Sequence, residues 1–201
     1  MKKSLVIATF NRHKAEEIRA ILPGLPLELV SLCELPGAAA AVEDGATLKE
    51  NALKKARAAA LFSGRWALAD DTGLEVDALG GAPGVRSARY AWEGCSPADN
   101  NARLLRELDG VPAGRRCARF ACVMALVSPA GAESTACGVL EGRITAAPRG
   151  TNGFGYDPLF EVEDSGLTLA ELPAAGKNGL SHRARALRAI LPELLRLAAE
   201  T

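Results

Sequence analysis

The chain has 201 residues, of which 48% are hydrophobic and 24% are charged. Lysine plus arginine and aspartate plus glutamate number 24 each, so the formal net charge is zero with neutral histidines. This composition is typical of a globular protein, and the length predicts one domain, with two small lobes as the alternative. The charge balance argues against a nucleic-acid polymer or an anionic membrane as partner, because both are attracted by an overall basic field.

The cysteines and the first residues indicate a cytoplasmic protein. The five cysteines contain no C-x-x-C pair, and the apolar run at 5–8 is too short for a signal-peptide core. The sequence has no run of about 18 apolar residues, so we expect no membrane span. In a cytoplasmic protein the scattered cysteines are expected to be reduced and mostly buried.

The first third of the chain predicts alternating strands and helices. Residues 4–9 and 27–31 are short apolar runs that are typical of buried strands. Between them, residues 11–22 have the apolar spacing of a helix, which a Pro-Gly pair stops.

The next segment predicts a second helix and two more strands. Thr47 and Glu50 fit a capping box, in which each side chain accepts a hydrogen bond from the other residue's main-chain N–H. An alanine-rich helix follows and reaches about Leu61. Residues 67–70 predict a strand that runs into a turn, and residues 74–78 predict a further strand.

The second half predicts a helix, a hairpin and a final helix. A serine cap and a proline at the first helical position begin a helix over residues 97–108. Strand-like runs at 119–128 and 133–144 flank a Pro-Ala-Gly turn, which predicts an antiparallel hairpin. Ser181 caps a last helix that reaches about residue 199. The expected fold is α/β, with a mixed sheet flanked by helices.

The first candidate site is the junction between the first strand and the first helix. Main-chain N–H groups at a helix N-terminus favour anions, and Lys14 adds a positive charge, so this junction can hold a phosphate. It lacks the glycines of a Walker loop. A capped helix with surface charges explains the same pattern.

The second candidate site is a set of acidic residues, Glu43, Asp44, Asp70 and Asp71. Adjacent carboxylates at a strand end are costly unless a cation or solvent screens them. Magnesium suits such a site, because it takes one or two carboxylates and completes its shell with water and substrate phosphates. A solvated acidic turn is the alternative. Exposed pairing of residues four apart explains Glu50 and Lys54, whereas Lys55, four residues after Asn51 on one helix face, can face a phosphate site.

Two later segments add candidate binding groups. Glycines at 150–158 permit close approach of the backbone, and Phe154 can stack on a base, with a structural tight turn as the alternative. Lys177 and Arg183 can only donate hydrogen bonds, which suits a carbonyl or a phosphate. For Lys177 and Arg183 the alternative is a capped helix with exposed basic side chains. Neither histidine has a metal-ligand partner at usable spacing, so zinc is not expected.

Five motifs stand in order along the chain. They are Thr9-x-Asn11-x-x-Lys14, Glu43-x-Gly45-x-Thr47-x-x-Glu50-Asn51-Ala52-x-x-Lys55, the block from Asp70 to Tyr90, Gly153-Phe154-Gly155-Tyr156-Asp157-Pro158, and Ser181-His182-Arg183. In order and spacing they resemble the motifs of the inosine triphosphatase family, pyrophosphatases that act on non-standard purine nucleoside triphosphates. The resemblance runs nearly from end to end.

The resemblance implies hydrolysis of ITP, dITP and XTP to the nucleoside monophosphate and pyrophosphate, which removes these nucleotides from the pool. It also implies Mg²⁺ as cofactor and a homodimer. The implied fold is one elongated α/β domain over residues 1–201, with two lobes and the active site in the cleft between them.

Matching positions imply the roles of individual residues. Asp71 looks like the general base, and Lys55 like a catalytic phosphate contact. The implied metal ligands are Glu43, Asp70 and Asp71. The implied substrate-binding residues are Thr9, Phe10, Asn11, Arg12, His13, Lys14, Thr72, Phe154, Gly155, Tyr156, Asp157, Lys177, His182 and Arg183.

The chain departs from the family pattern at Phe10, where glycine is usual, and at Arg86, where tyrosine is common. Phe10 is the main motive for one alternative, a nucleotide-binding module without turnover. The other alternative is a Maf-like pyrophosphatase for modified nucleotides. The acidic set argues against the first alternative, and the block from Asp70 to Tyr90 argues against the second.

Overall fold

A computed structural model describes residues 3–199 of the chain. The strands in this part are β1 (Lys3–Ile7), β2 (Leu27–Ser31), β3 (Trp66–Val76), β4 (Pro83–Gly84), β5 (Cys117–Val127), β6 (Glu133–Ile144) and β7 (Phe160–Val162). The helices are α1 (Arg12–Ile21), α2 (Leu48–Ser63), α3 (Pro97–Glu107), α4 (Ala174–Leu180) and α5 (His182–Ala199). None of the helices described is long and apolar enough to cross a membrane.

The strands form one mixed sheet in the order β2-β1-β3-β5-β6-β7, with β4 paired to β3. β1 is parallel to both neighbours, and its residue Leu5 is level with Leu29 of β2 and Trp66 of β3. β4 is antiparallel to β3, and β7 is antiparallel to β6. The predicted α/β fold with a mixed sheet and flanking helices is therefore confirmed.

The chain divides into two compact units. The first unit contains Met1–Asp71, Cys122–Gly138 and Arg183–Thr201, and the second contains Thr72–Ala121 and Val139–His182. In the first unit, Leu5 of β1 and Leu68 of β3 belong to one buried core with Ile18 of α1 and Leu187 of α5.

The pleat of β3 decides where its acidic side chains point. Successive side chains of a strand point to opposite faces. Asp70 therefore shares a face with Leu68, on the side of α1 and α5, whereas Asp71 shares the other face with Ala69. The helix α2, which contacts β1, carries buried alanines such as Ala56.

The second unit has its own core around β7 and α3. Phe160 of β7 and Leu104 of α3 are fully buried, together with Leu74 from the second-unit part of β3. The rings of Phe120 and Phe160 lie 4.7 Å apart. This core holds the loop that precedes β7 in place.

The predicted break in β3 is wrong. The strand runs without interruption from Trp66 to Val76, so the chain makes no turn at Asp70 and Asp71, and residues 74–78 do not form a separate strand. The physical reason is tertiary. β3 has a hydrogen-bonded neighbour on each edge and buried residues on both faces, and this context overrides the local tendency of Thr72 and Gly73.

Two smaller expectations also need correction, and one short helix was missed. Thr47 Oγ1 accepts the main-chain N–H of Glu50 as predicted, but Glu50 bonds the N–H of Ala46 at 2.7 Å, so the reciprocal half of the capping box is wrong. The short glycine-containing helix α4 was not predicted. All five cysteines are free as expected, but only Cys122 is buried.

The other predicted helices and strands are present in the structure. β2 has its predicted bounds, Asn11 caps α1, and Ser96 caps α3 with a proline in its first turn. The neighbours β5 and β6 are joined by a turn in which Ser128 N–H donates to the carbonyl oxygen of Ala132, as expected of a hairpin.

Candidate active site

The first unit holds a set of ionised side chains beside the carboxyl end of β1, next to the middle of β3, which continues past it. We call this set the charged cluster; its members are Lys14, Glu17, Glu43, Lys55, Asp70, Asp71 and Arg183. Ile7 at the end of β1 is level with Leu68 in β3. The segment after β1 and the two aspartates therefore meet at one edge of the sheet, the usual place for ligands in open α/β sheets.

Asp70 forms the more deeply buried half of the charged cluster. Its Oδ2 lies 3.0 Å from Lys14 Nζ and accepts a hydrogen bond from Arg183 Nη2, also at 3.0 Å. The other terminal nitrogen of Arg183 donates to Glu17. Burial acts to raise the pKa of Asp70, but Lys14 and Arg183 outweigh it and hold that pKa well below its usual range.

Asp71 forms the second half, on the opposite face of β3. Lys55 Nζ donates to Asp71 Oδ1 at 2.7 Å and to Glu43 Oε2 at 3.0 Å. Burial raises the pKa of Asp71, although the Lys55 ammonium acts in the opposite direction. A carboxylate with a raised pKa is a stronger proton acceptor, so Asp71 has the properties of a general base.

Lys55 remains a cation in this setting. Burial acts to lower its pKa, but the nearby carboxylates, Asp71 foremost, outweigh burial and raise that pKa. Lys55 thus presents a fixed positive charge between two acids. Such a charge can stabilise a phosphate on which negative charge develops.

The segment at 9–14 begins α1. Thr9 Oγ1 accepts the main-chain N–H of Asn11 at 3.1 Å, and Asn11 Oδ1 accepts that of Lys14 at 3.2 Å. The Phe10 side chain is 44% exposed, so it projects outward and does not pack into the core. Arg12 and His13 are exposed.

The second unit contains the glycine-rich loop at 150–158. Buried Asp157 accepts hydrogen bonds through Oδ2 from the main-chain N–H of Phe154 at 2.8 Å and from Lys177 Nζ at 2.6 Å. The same Nζ lies 4.6 Å from the centre of the Phe154 ring. At Gly153 φ is +74°, and a Cβ there would lie 2.0 Å from Asp157 Oδ2. The loop therefore needs glycine at this position.

Other predicted residues of the second unit are also held by packing. The hydroxyl of Tyr156 donates to the carbonyl oxygen of Ser87 at 2.9 Å, and burial raises the pKa of Tyr156. His182 is buried and stacks on Phe120, with ring centres 4.6 Å apart. Gly155 adopts a φ of +64°.

The predicted site residues thus form two groups. The first unit contains Thr9, Phe10, Asn11, Arg12, His13, Lys14, Glu43, Lys55, Asp70, Asp71 and Arg183. The second unit contains Thr72, Phe154, Gly155, Tyr156, Asp157, Lys177 and His182. The resemblance implies Arg183 in a base pocket, and the structure brings its guanidinium to Asp70 and Glu17 in the first unit. Thr72 is half-buried in β3.

The three predicted metal ligands do not converge on one point. Among residues 3–199, no three His, Cys, Asp or Glu side chains are arranged to hold a metal ion together. Asp70 faces away from the other two because of the strand pleat. Glu43 and Asp71 do converge, since an oxygen of each contacts the same ammonium of Lys55. Such a pair fits Mg²⁺, which takes few protein carboxylates and keeps water and phosphate ligands.

Two residues of this neighbourhood were not predicted as site residues. Glu17 lies three residues after Lys14 on α1, a spacing that places both on one helix face. Asn51 lies four residues before Lys55 on α2 and bonds Asp71. Helical spacing from the predicted lysines is the sequence signal that would find both.

Comparisons with known proteins agree over nearly the whole chain. The model of the Ham1 family matches residues 5–193. A dITP/XTP pyrophosphatase of Geobacter sulfurreducens is 56% identical over 183 residues, which are 91% of this chain and 92% of that protein. One of Symbiobacterium thermophilum is 50% identical over 199 residues, 99% and 98% of the two chains. The structure of a HAM1 protein from Coxiella burnetii superposes with a TM-score of 0.87 at 39% identity, covering 96% and 99%.

Proposed function

Because the chain belongs to the Ham1 family, we propose that it hydrolyses the non-standard purine nucleoside triphosphates ITP, dITP and XTP to the monophosphate and pyrophosphate. Relatives that are at least 50% identical over more than nine-tenths of the chain are named dITP/XTP pyrophosphatases. The proposed setting is the cytoplasm, where the reaction removes such nucleotides from the pool. The family resemblance also leads us to propose a homodimer.

One observation carries this proposal, the contact of Asp71 with Lys55. A buried carboxylate of raised pKa is held 2.7 Å from a partly buried ammonium. In the proposed reaction Asp71 takes a proton from the attacking water. Lys55 and Lys14 neutralise charge on the phosphates as the bond to the leaving pyrophosphate breaks.

We propose Mg²⁺ as the cofactor, held by Glu43 and Asp71 together with water and substrate phosphates. Oxygens of Glu43 and Asp71 converge within 3.0 Å of the Lys55 ammonium, and the two negative charges exceed its single positive charge, which supports a cation site here. Bound Mg²⁺ supplies charge neutralisation and polarises the phosphoryl group. Asp70 is the weakest of the three predicted ligands, and we assign it instead to fixing Lys14 and Arg183.

For the nucleoside we propose the residues of the second unit. Phe154 offers a ring for stacking, and the buried pair of Asp157 and Lys177 fixes the loop around it. Lys177 only donates hydrogen bonds, so it favours the 6-keto group of hypoxanthine and xanthine over the 6-amino group of adenine. Adenine offers no acceptor at this position, and a polar site that loses this hydrogen bond binds adenine much more weakly.

The proposed reaction is tested by pyrophosphate release from a panel of eight nucleotides in the presence of Mg²⁺. We expect much faster release from ITP, dITP and XTP than from ATP, and loss of release with EDTA that added Mg²⁺ restores. Equal rates for dITP and ATP, or orthophosphate as first product, would refute the proposal. Preference for modified pyrimidines would support the Maf-like alternative. Calorimetric binding of dITP without product would support a binding module.

The proposed base is tested by Asp71→Asn. We expect kcat to fall at least about 1000-fold, because the side chain then cannot take the proton. Asp44→Asn is the matched control, since Asp44 is exposed and bonds Lys54 outside the charged cluster. That variant should keep kcat within about threefold. A wild-type kcat in Asp71→Asn would refute the assignment of the base.

A further inference from the structure

Asn51 is a buried amide next to Asp71 of the charged cluster. It lies on α2 and is only 1% exposed. Buried polar groups are nearly always hydrogen-bonded, so its partners define its role. The main-chain N–H of Gly45 donates to Asn51 Oδ1 at 2.8 Å, and Asn51 Nδ2 donates to Asp71 Oδ2 at 3.5 Å.

The chemistry of these partners fixes the orientation of the amide. A main-chain N–H can only donate, so the carbonyl oxygen of Asn51 has to face Gly45. The NH₂ group then has to face Asp71, and an ionised carboxylate can only accept. A flipped amide would place two donors together on one side and two acceptors together on the other.

Gly45 is shaped for this contact. A Cβ at position 45 would lie 2.7 Å from Asn51 Oδ1 and 2.8 Å from Glu50 Cβ, both far closer than side-chain carbons approach. Its φ lies outside the left-handed region, so the requirement for glycine is one of space. The close approach ties the segment that carries Glu43 to α2.

Lys55 contacts the same two segments one helical turn later. It bonds Glu43 on the loop and Asp71 on β3. Positions four apart on a helix lie on one face. Asn51 and Lys55 therefore connect the loop to the strand twice, once through a neutral amide and once through an ammonium.

We propose that Asn51 is a positioning residue for the reaction: it holds the Asp71 carboxylate in a fixed place relative to the segment that bears Glu43. The inference rests on the proposed function. Its bond to Asp71 is long, as catalytic hydrogen bonds often are before substrate binds and tightens them. Asn51 acts through Asp71, so its loss should affect turnover and leave the affinity for substrate intact.

The first test is Asn51→Asp, which keeps the size of the side chain and an acceptor for the N–H of Gly45 but loses the donor to Asp71. We expect kcat with dITP to fall about 100-fold, the effect of misplacing a reacting group by about 1 Å, and KM to change less than about threefold. Asn100→Asp is the matched control. Asn100 is 4% exposed, and its amide likewise accepts one main-chain N–H, that of Ala91 at 2.8 Å.

The second test is Gly45→Ala, whose Cβ crowds both the Asn51 amide and Glu50 without adding a charge. We expect the same selective loss of kcat, so agreement between the two variants excludes repulsion by the new aspartate as the cause. If Asn51→Asp does not fold, Gly45→Ala still tests the proposal by itself. Circular dichroism melting of every variant verifies the fold.

The outcomes separate the inference from the function. Wild-type kcat in the folded variants, or a rise in KM that matches the fall in kcat, would overturn the positioning role. An equal loss of kcat in the Asn100 control would also overturn it, because any buried amide would then matter. If the wild-type protein releases no pyrophosphate from dITP, the proposed function fails first.

Discussion

Substitution of Gly153 by alanine tests how the loop at 150–158 is held together. Its φ of +74° is strained for any residue with a Cβ, and that Cβ would lie 2.0 Å from Asp157 Oδ2. The same oxygen accepts hydrogen bonds from Phe154 and Lys177. The alanine methyl therefore strains the backbone and also pushes a buried carboxylate off its partners.

The two effects have separate magnitudes. Left-handed backbone costs an alanine about 1–2 kcal/mol. Weakening hydrogen bonds to a charged group costs about 1.5–3 kcal/mol more. The free energy of unfolding should thus fall by about 2.5–5 kcal/mol. For a chain of this length each kcal/mol lowers Tm by about 2–4 °C, so the expected loss is between about 5 and 20 °C.

Gly155→Ala is the matched control in the same loop. Its φ is +64°, but a Cβ there meets nothing within 4 Å, so only the backbone cost applies. We expect its Tm, measured by scanning calorimetry, to fall by about 2–8 °C. Equal melting temperatures for the two variants would refute the argument, because the contact with Asp157 would then add nothing.

Lys55→Met removes the ammonium that two carboxylates share, and kcat for dITP should fall at least about 100-fold; a loss below about threefold contradicts its catalytic role. Phe160→Ala leaves a cavity in the second core, so the free energy of unfolding measured with denaturant should fall by about 3–5 kcal/mol. A fall of less than about 1 kcal/mol would contradict this. For Glu161, burial acts to raise the pKa, but Arg143 and Arg149 hold it below the ordinary 4.5. Its stabilisation is thus present above pH 4.5 and disappears as the pH falls through the lowered pKa. The difference in unfolding free energy between wild type and Glu161→Gln should shrink as the pH falls below 4.5; a difference that stays constant down to the acid limit of folding contradicts this.

Features set by neighbouring residues were predictable from the sequence. The caps at Asn11, Thr47 and Ser96 depend on hydrogen bonds that span three residues, so local rules find them. The capping box failed at Glu50 because the N–H of Ala46 offered its side chain a competing local partner. Such competition is decided by the path of the preceding loop.

Features set by distant segments were not predictable in the same way. β3 continues through Asp70 because neighbouring strands and both faces hold it extended. The ion pair of Arg183 with Asp70 joins residues 113 apart in sequence, and no spacing rule reaches that far. For the same reason the motif at 181–183 indicated donors for a ligand, while the structure places the guanidinium of Arg183 between two acids. Its part in base recognition stays a prediction.

The uninterrupted pleat of β3 makes the charged cluster sensitive to length as well as to residue type. Asp70 and Asp71 serve different partners only because adjacent strand residues alternate between faces. Inserting or deleting one residue between Trp66 and Asp70 would exchange the two sides of the strand. Asp70 would then face Lys55, and Asp71 would face Lys14. The partners would be exchanged even though every side chain of the cluster was still present. A shift of two residues would restore the sides and move both carboxylates along the strand by about 7 Å.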